Sequence, residues 1–407
     1  MSEKRKVGII GGGAAGMMAA ITAARQGAEV TILERNDRLG KKILATGNGK
    51  CNFTNRVMDK YCYDSEDLEK AWSVLQAFSV TETVSFFESL GMLSKEKNGY
   101  FYPACEQASV LLDALRFTID DLGIRVLYER KVSGIKRDGK IIKVLCGEEA
   151  FGFDKVIVTC GGKAAPKTGS DGSGIKLARQ LGQAVIPSYP ALVQLRCEED
   201  YCKAIAGIRC DAEITLISGG VPLVVERGEL QLTDYGISGI PIFQLSGIAC
   251  RELAKDSSLR AEIDFLPDWS DKDWRRFGEK RLKHMSQRRV EEFCNGILNK
   301  KLMQLFIKLS GLKGDKIVSQ VSREKVETLF YLCKHFVLHV NGSNGYEQAQ
   351  VSGGGVDLRE LSENLESLKV PGVYFAGEVV EVYGRCGGYN LQWAWSSGYV
   401  TGLHAAK

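Results

Sequence analysis

Histidine, proline and tryptophan are scarce in this chain, with four, eight and five copies among 407 residues. So few histidines argue against a metal centre, because imidazole is the commonest metal ligand in proteins. His335 and His339 have the i, i+4 spacing of a helical metal pair, but the sequence around them alternates in polarity as a strand does. We therefore predict no metal site.

The chain also lacks an ordered cysteine pattern, a long apolar run and a strong net charge. Its twelve cysteines form no C-x-x-C pair, which is typical of reduced thiols in a cytoplasmic protein. No apolar run has the length of a membrane span, so no membrane partner is expected. A net charge of +4 is too small to indicate a polyanionic partner. The length allows two to three domains of roughly 100–200 residues each.

Residues 7–34 form the strongest local pattern in the sequence. The apolar run Val7–Ile10 predicts a buried parallel strand, and the Ala- and Met-rich segment Ala14–Arg25 predicts a helix packed closely on a sheet. A second strand is predicted over Glu29–Leu33. The glycines between the first strand and the helix have G-x-G-x-x-G spacing. This order of elements is typical of a dinucleotide-binding βαβ unit.

The glycines of this turn allow a sharp bend, an approach of the backbone to a pyrophosphate and close helix–strand contact. The pyrophosphate is expected at the helix N-terminus, where unpaired N–H groups and the helix dipole favour an anion. The contacts predicted here are Gly11, Gly13, Ala14, Ala15 and Gly16.

Glu34 ends the second strand, where a carboxylate can accept hydrogen bonds from both ribose hydroxyls of an adenosine. An acid at this position disfavours a 2′-phosphate, so NADP is not expected in this site. FAD and NAD both remain open from this stretch alone.

A long loop, residues 35–55, follows the second strand and is rich in glycine, asparagine and cations. Such a loop lies at the carboxyl edge of a Rossmann sheet, where cofactors bind. Successive backbone N–H groups in TGNGKCN suit the polar rim of a flavin or its phosphates, although a surface loop is the alternative. The candidate contacts in the loop are Arg35, Lys42, Thr46, Gly47, Asn48 and Asn52.

The next hundred residues read as helices, a small meander and one more buried strand. The strand Lys155–Thr159 enters a glycine turn containing Gly161, and such a strand normally returns beside the first strand, near the adenosine. The other elements predicted here are helices over Leu68–Phe78, Thr81–Leu90, Ala108–Leu122 and Ile175–Leu181, and strands over Arg125–Tyr128, Lys131–Lys136 and Ile141–Cys146.

The character of the sequence changes at Pro187. Alternating segments at 212–217, 222–225 and 229–232 predict strands of a small barrel or sandwich, and Ser238 is the predicted N-cap of a helix. Residues 267–335 read as helices. Between residues 271 and 301, ten Lys and Arg face five Asp and Glu, which favours solvated helix faces over nucleic-acid contact.

The C-terminal section returns to the dinucleotide domain. A buried strand over Val373–Ala376 leads into Gly377 and Glu378, whose carboxylate can accept a ribityl hydroxyl. A glycine-rich helix start at Gly388–Leu391 can stabilise negative charge on a reduced flavin ring. Because one extended dinucleotide needs both ends of the chain, FAD fits the pattern better than NAD. The helix that follows has a small-residue face suited to close packing, formed by Ala394, Ser397, Gly398 and Gly402.

These motifs resemble the BaiN/aminoacetone-oxidase-like family of FAD-dependent flavoproteins over essentially the whole length. The stretches that carry the resemblance are GGGAAG, LGKKILATGNGKCNFTN, YPACEQASVLLDAL, GGKAAPKTGSDGSG, YGISGIP, VSGGGV and FAGEVVEVYGRCGGYNLQWAWSSG. The resemblance implies an α/β fold. A Rossmann-type FAD domain of the two-dinucleotide-binding class (1–187 and 351–407) is interrupted by a β-barrel domain (188–265 and 336–350) and a helical insert (266–335).

The resemblance also implies specific cofactor contacts. They are Glu34, Asn48, Cys51, Glu378, Asn390 and Leu391, with a backbone contact near Val132. The chain departs from the family pattern at Glu381, Tyr383 and Cys386, which we expect to border the substrate side. Cys386 precedes a helix N-terminus and should have a lowered pKa if its thiol points there.

The expected chemistry is hydride transfer by the flavin, with the protein supplying position and a proton donor. Candidate donors are Tyr235, Tyr383 and Tyr389. No second complete G-x-G-x-x-G unit is present, so NADH or NADPH would dock transiently. By resemblance, the activity is that of a reductase of an unsaturated ketone, such as a 3-oxo-Δ4/Δ6 steroid or bile-acid intermediate. An aminoacetone-type amine oxidase and an RNA-modifying flavoprotein are the alternatives.

Overall fold

The computed structural model describes residues 4–255 and 258–407. They form two compact units: one runs up to Pro190 and resumes at Tyr346, and the other is Ala191–Gly345. None of the helices in these described ranges is long and apolar enough to cross a membrane.

The first part of the chain, up to the end of β12, alternates helices with short strands. Its strands are β1 (Lys6–Ile10), β2 (Glu29–Leu33), β3 (Thr54–Asn55), β4 (Tyr63–Asp64), β5 (Ser94–Lys97), β6 (Tyr100–Pro103), β7 (Arg125–Leu127), β8 (Gly134–Asp138), β9 (Ile141–Cys146), β10 (Glu149–Phe153), β11 (Lys155–Val158) and β12 (Val185–Ala191). Its helices are α1 (Ala14–Arg25), α2 (Leu68–Ala77), α3 (Val80–Ser89), α4 (Ala108–Asp121) and α5 (Ser173–Gln180).

The second unit is a closed six-stranded barrel with a helical segment between its last two strands. Its strands are β13 (Leu195–Cys197), β14 (Arg209–Ser218), β15 (Val221–Thr233), β16 (Gly236–Gly239), β17 (Leu259–Asp264) and β18 (Phe336–Ser343), in the barrel order β13-β16-β15-β14-β17-β18. Its helices are α6 (Cys202–Ile205), α7 (Ile240–Leu253), α8 (Asp271–Met285), α9 (Val290–Cys294), α10 (Lys300–Leu309) and α11 (Arg323–Leu332).

The chain then returns to the first unit. The elements of this final part are α12 (Gly345–Gln348), β19 (Val351–Val356), β20 (Val373–Phe375), β21 (Tyr383–Gly384) and α13 (Tyr389–Ala405).

A parallel sheet in the order β20-β11-β1-β2-β7 organises the first unit. Val7 in β1 pairs with Lys155 in β11 on one side and with Val30 in β2 on the other. The predicted return of the 155–159 strand beside the first strand is therefore confirmed. This order brings the glycine turns after β1 and β11 to the same carboxyl edge of the sheet, where Rossmann folds bind their ligands. The prediction of a Rossmann-type α/β fold with a small β-barrel is confirmed.

The small-residue face of α13 is closely packed, as predicted, and its partner is α1. A Cβ on Gly398 would lie 2.5 Å from the Ala15 carbonyl oxygen, and one on Gly402 would lie 2.4 Å from that of Ala19. Most residues of both helices are buried. The close approach fixes the two ends of the chain against each other.

The barrel and its helices share one hydrophobic core. The ring of Phe306 on α10 lies 5.9 Å from Phe265 and 5.1 Å from Phe336, the first residue of β18. Such aromatic pairs add to the stabilisation from apolar burial. The interior residues of the barrel strands and the helices therefore form one cluster.

Two local predictions in this unit were wrong. Segments 222–225 and 229–232 belong to one strand, β15, because Gly228 lies in the ladder opposite Ala212 in ordinary extended backbone. Ser238 does not cap a helix, since it pairs with Gln231 in the β15–β16 ladder. The residue before α7 is Gly239, whose φ of +104° turns the chain from strand to helix.

Candidate cofactor site

The turn between β1 and α1 folds closely on itself. Gly11 has a φ of +105°, and its N–H donates to the Leu33 carbonyl at 2.9 Å. A Cβ on Gly16 would lie 1.9 Å from the Gly11 carbonyl oxygen, whereas a Cβ on Gly13 would meet no atom within 4 Å. The open space at Gly13, next to the α1 N-terminus, fits a pyrophosphate. The predicted contacts lie on this turn and on the first residues of α1: Gly11, Gly13, Ala14, Ala15 and Gly16.

Glu34 lies beside this turn and is 5% exposed. One carboxylate oxygen accepts a hydrogen bond from the Gly12 N–H at 2.7 Å, and the other accepts two from Asn36 at 2.8 Å. These bonds orient the carboxylate at the end of β2. The backbone carbonyl of Glu34 accepts the Arg130 N–H at 2.9 Å, so the segment that carries buried Val132 runs alongside. Glu34, the predicted ribose contact, and Val132, the predicted backbone contact, therefore lie in adjacent segments.

Arg35 and Gly161 contact the loop that precedes α5. The Arg35 guanidinium forms an ion pair with Asp171 and donates to the Gly169 carbonyl at 3.4 Å. Gly161 has a φ of +73°, and a Cβ there would lie 2.6 Å from Ser170 Oγ. The turn after β11 thus lies against residues 169–171, on the same side of the sheet as Glu34.

The loop after β2 contains a short helical stretch, Ile43–Gly49, that is broken by left-handed residues. Gly47, Asn48 and Cys51 have φ values of +54°, +53° and +56°. The Cys51 N–H donates to the Thr46 carbonyl at 3.1 Å. Burial raises the pKa of the Cys51 thiol to about 12, so this side chain is a packing residue rather than a thiolate. Gly47 and Asn48 remain exposed for backbone contacts.

The end of this loop packs against the start of α13. The side-chain amide of Asn52 donates to the Thr54 and Phe101 carbonyls at 2.9 and 3.1 Å. A Cβ on Gly388 would lie 2.6 Å from the Thr54 carbonyl oxygen and 2.9 Å from the Asn52 amide. Asn52 therefore hydrogen-bonds to the backbone of β3 and β6, and the space beside it admits only glycine at position 388.

Four residues from distant parts of the sequence form the Glu378 cluster: Lys42, Gly162, Ser352 and Glu378. One Glu378 carboxylate oxygen accepts the N–H and the hydroxyl of Ser352, both at 3.0 Å. The other lies 2.6 Å from Lys42 Nζ, which also donates to the Ala164 carbonyl at 3.3 Å. A Cβ on Gly162 would lie 2.6 Å from Glu378, so the backbone closes on the carboxylate. The cluster joins the loop after β2, the turn after β11, and β19.

The first turn of α13 closes the loop that precedes it. Asn390 Oδ1 accepts the Gly384 N–H at 2.8 Å, and its Nδ2 donates to the Gly384 and Arg385 carbonyls at 2.9 and 3.3 Å. These bonds occupy the side chain, so Asn390 holds the loop in place. The N–H groups at this helix start, near half-buried Leu391, provide the positive dipole end that suits a reduced flavin ring.

The three positions where the chain departs from the family pattern are largely enclosed. Glu381 is 4% exposed, and its carboxylate is bound by Ser65 and Glu66 rather than directed to a substrate. Tyr383 packs edge-on against Tyr189, with ring centroids 6.1 Å apart. The expected low pKa of Cys386 was wrong: burial raises the pKa of this thiol to about 12.

The candidate proton donors do not all belong to the same unit. Tyr235 lies in the barrel unit, where the Arg196 guanidinium is 5.8 Å from its ring centre. Tyr389 begins α13, and its ring centre lies 5.9 Å from that of Tyr63. Burial first, and then the neighbouring Cys62, raises the pKa of Tyr389 above its ordinary value. This phenol therefore keeps its proton at neutral pH.

The residues present fit FAD. The open space at Gly13 suits the pyrophosphate, and the buried carboxylate of Glu34 suits the adenosine ribose. Glu378 and the start of α13 supply a ribityl acceptor and a helix N-terminus at the far end of the dinucleotide. Gly377, next to Glu378, has a φ of +75° and lies against Ala15, which brings this far end close to the glycine turn.

Sequence reasoning missed Ser352 and the pairing of Lys42 with Glu378. The only local signal was the glycine triplet after Ser352, which lacks the spacing of a dinucleotide motif. Each of these glycines is sterically required. A Cβ on Gly353 would lie 2.3 Å from the Tyr189 ring, and one on Gly354 would lie 2.4 Å from the Pro187 carbonyl.

Comparison with known proteins gives a match along nearly the whole chain. The family model described as "HI0933-like protein Rossmann domain" matches residues 5–404. A "3-dehydro-bile acid delta(4,6)-reductase" from Clostridium scindens is 41% identical over 405 residues, covering 99% of each chain.

Other proteins match at lower identity. A "Ribosomal RNA dihydrouridine synthase" from Haemophilus influenzae is 31% identical and covers 100% of both chains. Among solved structures, a 3-ketosteroid-Δ4-(5α)-dehydrogenase from Rhodococcus jostii RHA1 covers 100% of this chain and 98% of its own, with a TM-score of 0.49 and 17% identity.

Proposed function

The chain belongs to the HI0933-like Rossmann family of FAD-dependent oxidoreductases, and on that premise we propose that it reduces a carbon–carbon double bond conjugated with a ketone. The substrate class is a 3-oxo-Δ4 or Δ4,6 steroid or bile-acid intermediate. The observation that carries this proposal is the 41% identity, over 99% of both chains, to a protein named as a reductase of this type.

FAD, when bound, supplies the hydride that such a reduction adds to the β-carbon of the unsaturated ketone. The roles of the chain's own residues are positional and electrostatic. The glycine turn and Glu34 hold the adenosine half, and the Glu378 cluster holds the ribityl chain. The N–H groups at the start of α13 stabilise negative charge that develops nearby.

The α-carbon of the substrate then needs a proton. Tyr383 and Tyr389 are the candidate donors in the first unit, and Tyr235 is the candidate in the barrel unit. Tyr389 stays protonated at neutral pH, as an ordinary tyrosine does, and its raised pKa makes the phenol a weaker acid, which counts against it as the donor.

We further propose that NADH or NADPH is the electron donor and docks transiently. The transient docking is inferred from the sequence, which contains one complete G-x-G-x-x-G unit, and that unit is assigned to the adenosine half of FAD. A cytoplasmic location is proposed on the twelve cysteines, all of which are free.

Anaerobic spectroscopy of the holoprotein tests the reductase proposal. NADH or NADPH should bleach the flavin, and a 3-oxo-Δ4 steroid should restore its colour while a saturated 3-oxo steroid does not. Reduction of the flavin by a small amine, with peroxide release in air, would instead identify an amine oxidase. A reduced flavin that no unsaturated ketone reoxidises would contradict the proposal.

A second candidate function is reduction of a uracil base in RNA. A dihydrouridine synthase also saturates a double bond conjugated with a carbonyl, and a full-length relative carries that name. The structural observation that favours it is a cationic face on α8. Lys272, Arg276, Lys280 and Lys283 are exposed at helical spacing, and two exposed acids, Asp273 and Glu279, lie in the same span.

Salt-dependent binding to ribosomal RNA separates this candidate from the steroid reductase. A triple variant removes three of these charges: Arg276→Gln, Lys280→Gln and Lys283→Gln. The plot of log K against log salt should become less steep by about 0.7 for each RNA phosphate that the helix no longer neutralises. The control is Lys136→Gln with Lys140→Gln, on the meander of the first unit. Equal binding by wild type and both variants would dismiss the α8 face as an RNA-binding surface.

A further inference from the structure

Glu381 is a buried carboxyl group without a role in the chemistry described above. It begins the 381–388 loop, which leads from the Glu378 turn to α13. One of its oxygens accepts the Ser65 hydroxyl at 2.9 Å, and both accept the Glu66 N–H, at 3.2 and 3.1 Å. Residues 65 and 66 therefore engage both oxygens, and the Leu358 backbone N–H, in the segment after β19, also donates to the carboxyl group.

That segment directly follows β4, which pairs with β21 inside the 381–388 loop. Tyr383 lies opposite Asp64, and Gly384 lies opposite Tyr63. A two-residue ladder is too short to hold a loop by itself. Glu381 extends the attachment at one end, and Asn390 binds Gly384 at the other.

We propose that Glu381 is a positioning residue for the cofactor. Its carboxyl group ties the 381–388 loop to the segment after β4 and so fixes the direction of the N–H groups at the start of α13. The proposal rests on the FAD dependence of the protein and not on the substrate class. It also removes Glu381 from the residues expected to touch substrate.

The surroundings of Glu381 indicate that it acts as a hydrogen-bond acceptor rather than as a fixed charge. The charges of Asp357 and Arg359 act on it from the segment after β19, and Arg359 pairs with Asp357 at 2.7 Å and with Glu66 at 3.6 Å. On α2, Lys70 donates to two backbone carbonyls. Burial raises the pKa of Glu381 to about 7, so a neutral carboxyl is accessible. A neutral acceptor of the same shape should therefore serve.

Three variants test the role in the full chain. Glu381→Ala removes both acceptor oxygens, and Glu381→Gln keeps one of them, which can still accept from Ser65 and Glu66, without the charge. Glu199→Ala is the control, because Glu199 also accepts a backbone N–H, that of His339 at 2.8 Å, but lies in the barrel unit. The readouts are amide hydrogen exchange of the FAD-free protein, over segments 62–68 and 381–390, and the Kd for FAD.

The alanine variant should exchange about tenfold faster in both segments and bind FAD about tenfold more weakly, because two or more hydrogen bonds are removed. The glutamine variant and the control should stay within about threefold of wild type in both segments and in Kd. The proposal would be overturned if Glu381→Ala left both the exchange rates and the Kd for FAD unchanged. It would also be overturned if Glu381→Gln weakened FAD binding as much as Glu381→Ala does.

Ser65→Ala keeps the test decisive if the alanine variant of Glu381 does not fold. It removes one donor, and faster exchange confined to the same two segments is the expected result. Unchanged exchange there would overturn the proposal. If wild type itself binds no FAD, the cofactor assignment fails, while the exchange data still report whether Glu381 holds the loop.

Discussion

The glycine turn after β1 and the Glu378 cluster are predicted to bind opposite halves of one dinucleotide, but they are built differently. The turn is contiguous, and its shape comes from backbone that glycine alone permits, as where a Cβ on Gly16 would lie 1.9 Å from Gly11. In the Glu378 cluster, Lys42 and Glu378 are separated by 336 positions and held by side-chain bonds. We therefore expect a substitution at a sterically tight glycine to abolish FAD binding, whereas loss of one hydrogen bond in the Glu378 cluster should only weaken it.

The largest effect is expected from Gly16→Val. The added side chain must displace the Gly11 carbonyl, so we expect a loss of about 3 kcal/mol in the free energy of unfolding. Binding of FAD should be abolished with it. Chemical denaturation of the FAD-free protein measures the first effect, and fluorescence titration measures the second.

Gly13→Ala is the control for steric failure at the turn. A Cβ at position 13 meets no protein atom within 4 Å. The variant should therefore keep wild-type stability while its methyl group enters the space predicted for the pyrophosphate and weakens FAD binding. Wild-type affinity in Gly13→Ala would show that the phosphate lies elsewhere.

The next effect concerns pH and Glu381. Because burial raises the folded-state pKa from 4.5 to about 7, the folded protein binds a proton more tightly than the unfolded chain. Stability relative to Glu381→Gln should therefore fall as pH rises from about 4.5 to 7 and stay level above that. The expected fall is about 2–3 kcal/mol.

Denaturation of the FAD-free wild type and Glu381→Gln across pH 4.5–8 measures this fall. A constant stability difference between the two proteins would contradict the buried, proton-binding state of Glu381.

A smaller effect is expected within the Glu378 cluster. Lys42→Met and Glu378→Gln should each weaken FAD binding, and a double-mutant cycle on the FAD-free protein should give a coupling of about 1 kcal/mol. The pair is partly shielded, with side chains 27% and 18% exposed, so its coupling should exceed that of a surface pair. Strict additivity would show that the ion pair contributes nothing.

The smallest effect is expected from Cys386→Ser. Burial raises the pKa of this thiol to about 12, which leaves almost no thiolate at neutral pH. Turnover should change less than about threefold. Mass spectrometry after alkylation should find exposed Cys105 modified well before Cys386. Rapid modification of Cys386 would restore it as a candidate reactive group.

The glycine turn after β1 was predictable from sequence, whereas the Glu378 cluster and the loop after it were predictable only in part. The helix Ala14–Arg25 and strand Glu29–Leu33 have the predicted bounds because their glycine spacing and apolar periods are local signals. Ser65 and Glu66, which bind Glu381, lie more than 300 positions away, so no window of sequence contains all three residues. Cys386 was misjudged because its burial depends on the folded loop.

The measurement that tests the central claim most directly is a comparison of FAD and FMN binding to the flavin-free protein. If the glycine turn and the Glu378 cluster bind two halves of one dinucleotide, FAD should restore a yellow protein, and FMN, which lacks the adenosine half, should bind at least about 100-fold more weakly. A protein that cannot be reconstituted with FAD, or that binds FMN equally well, would contradict the account.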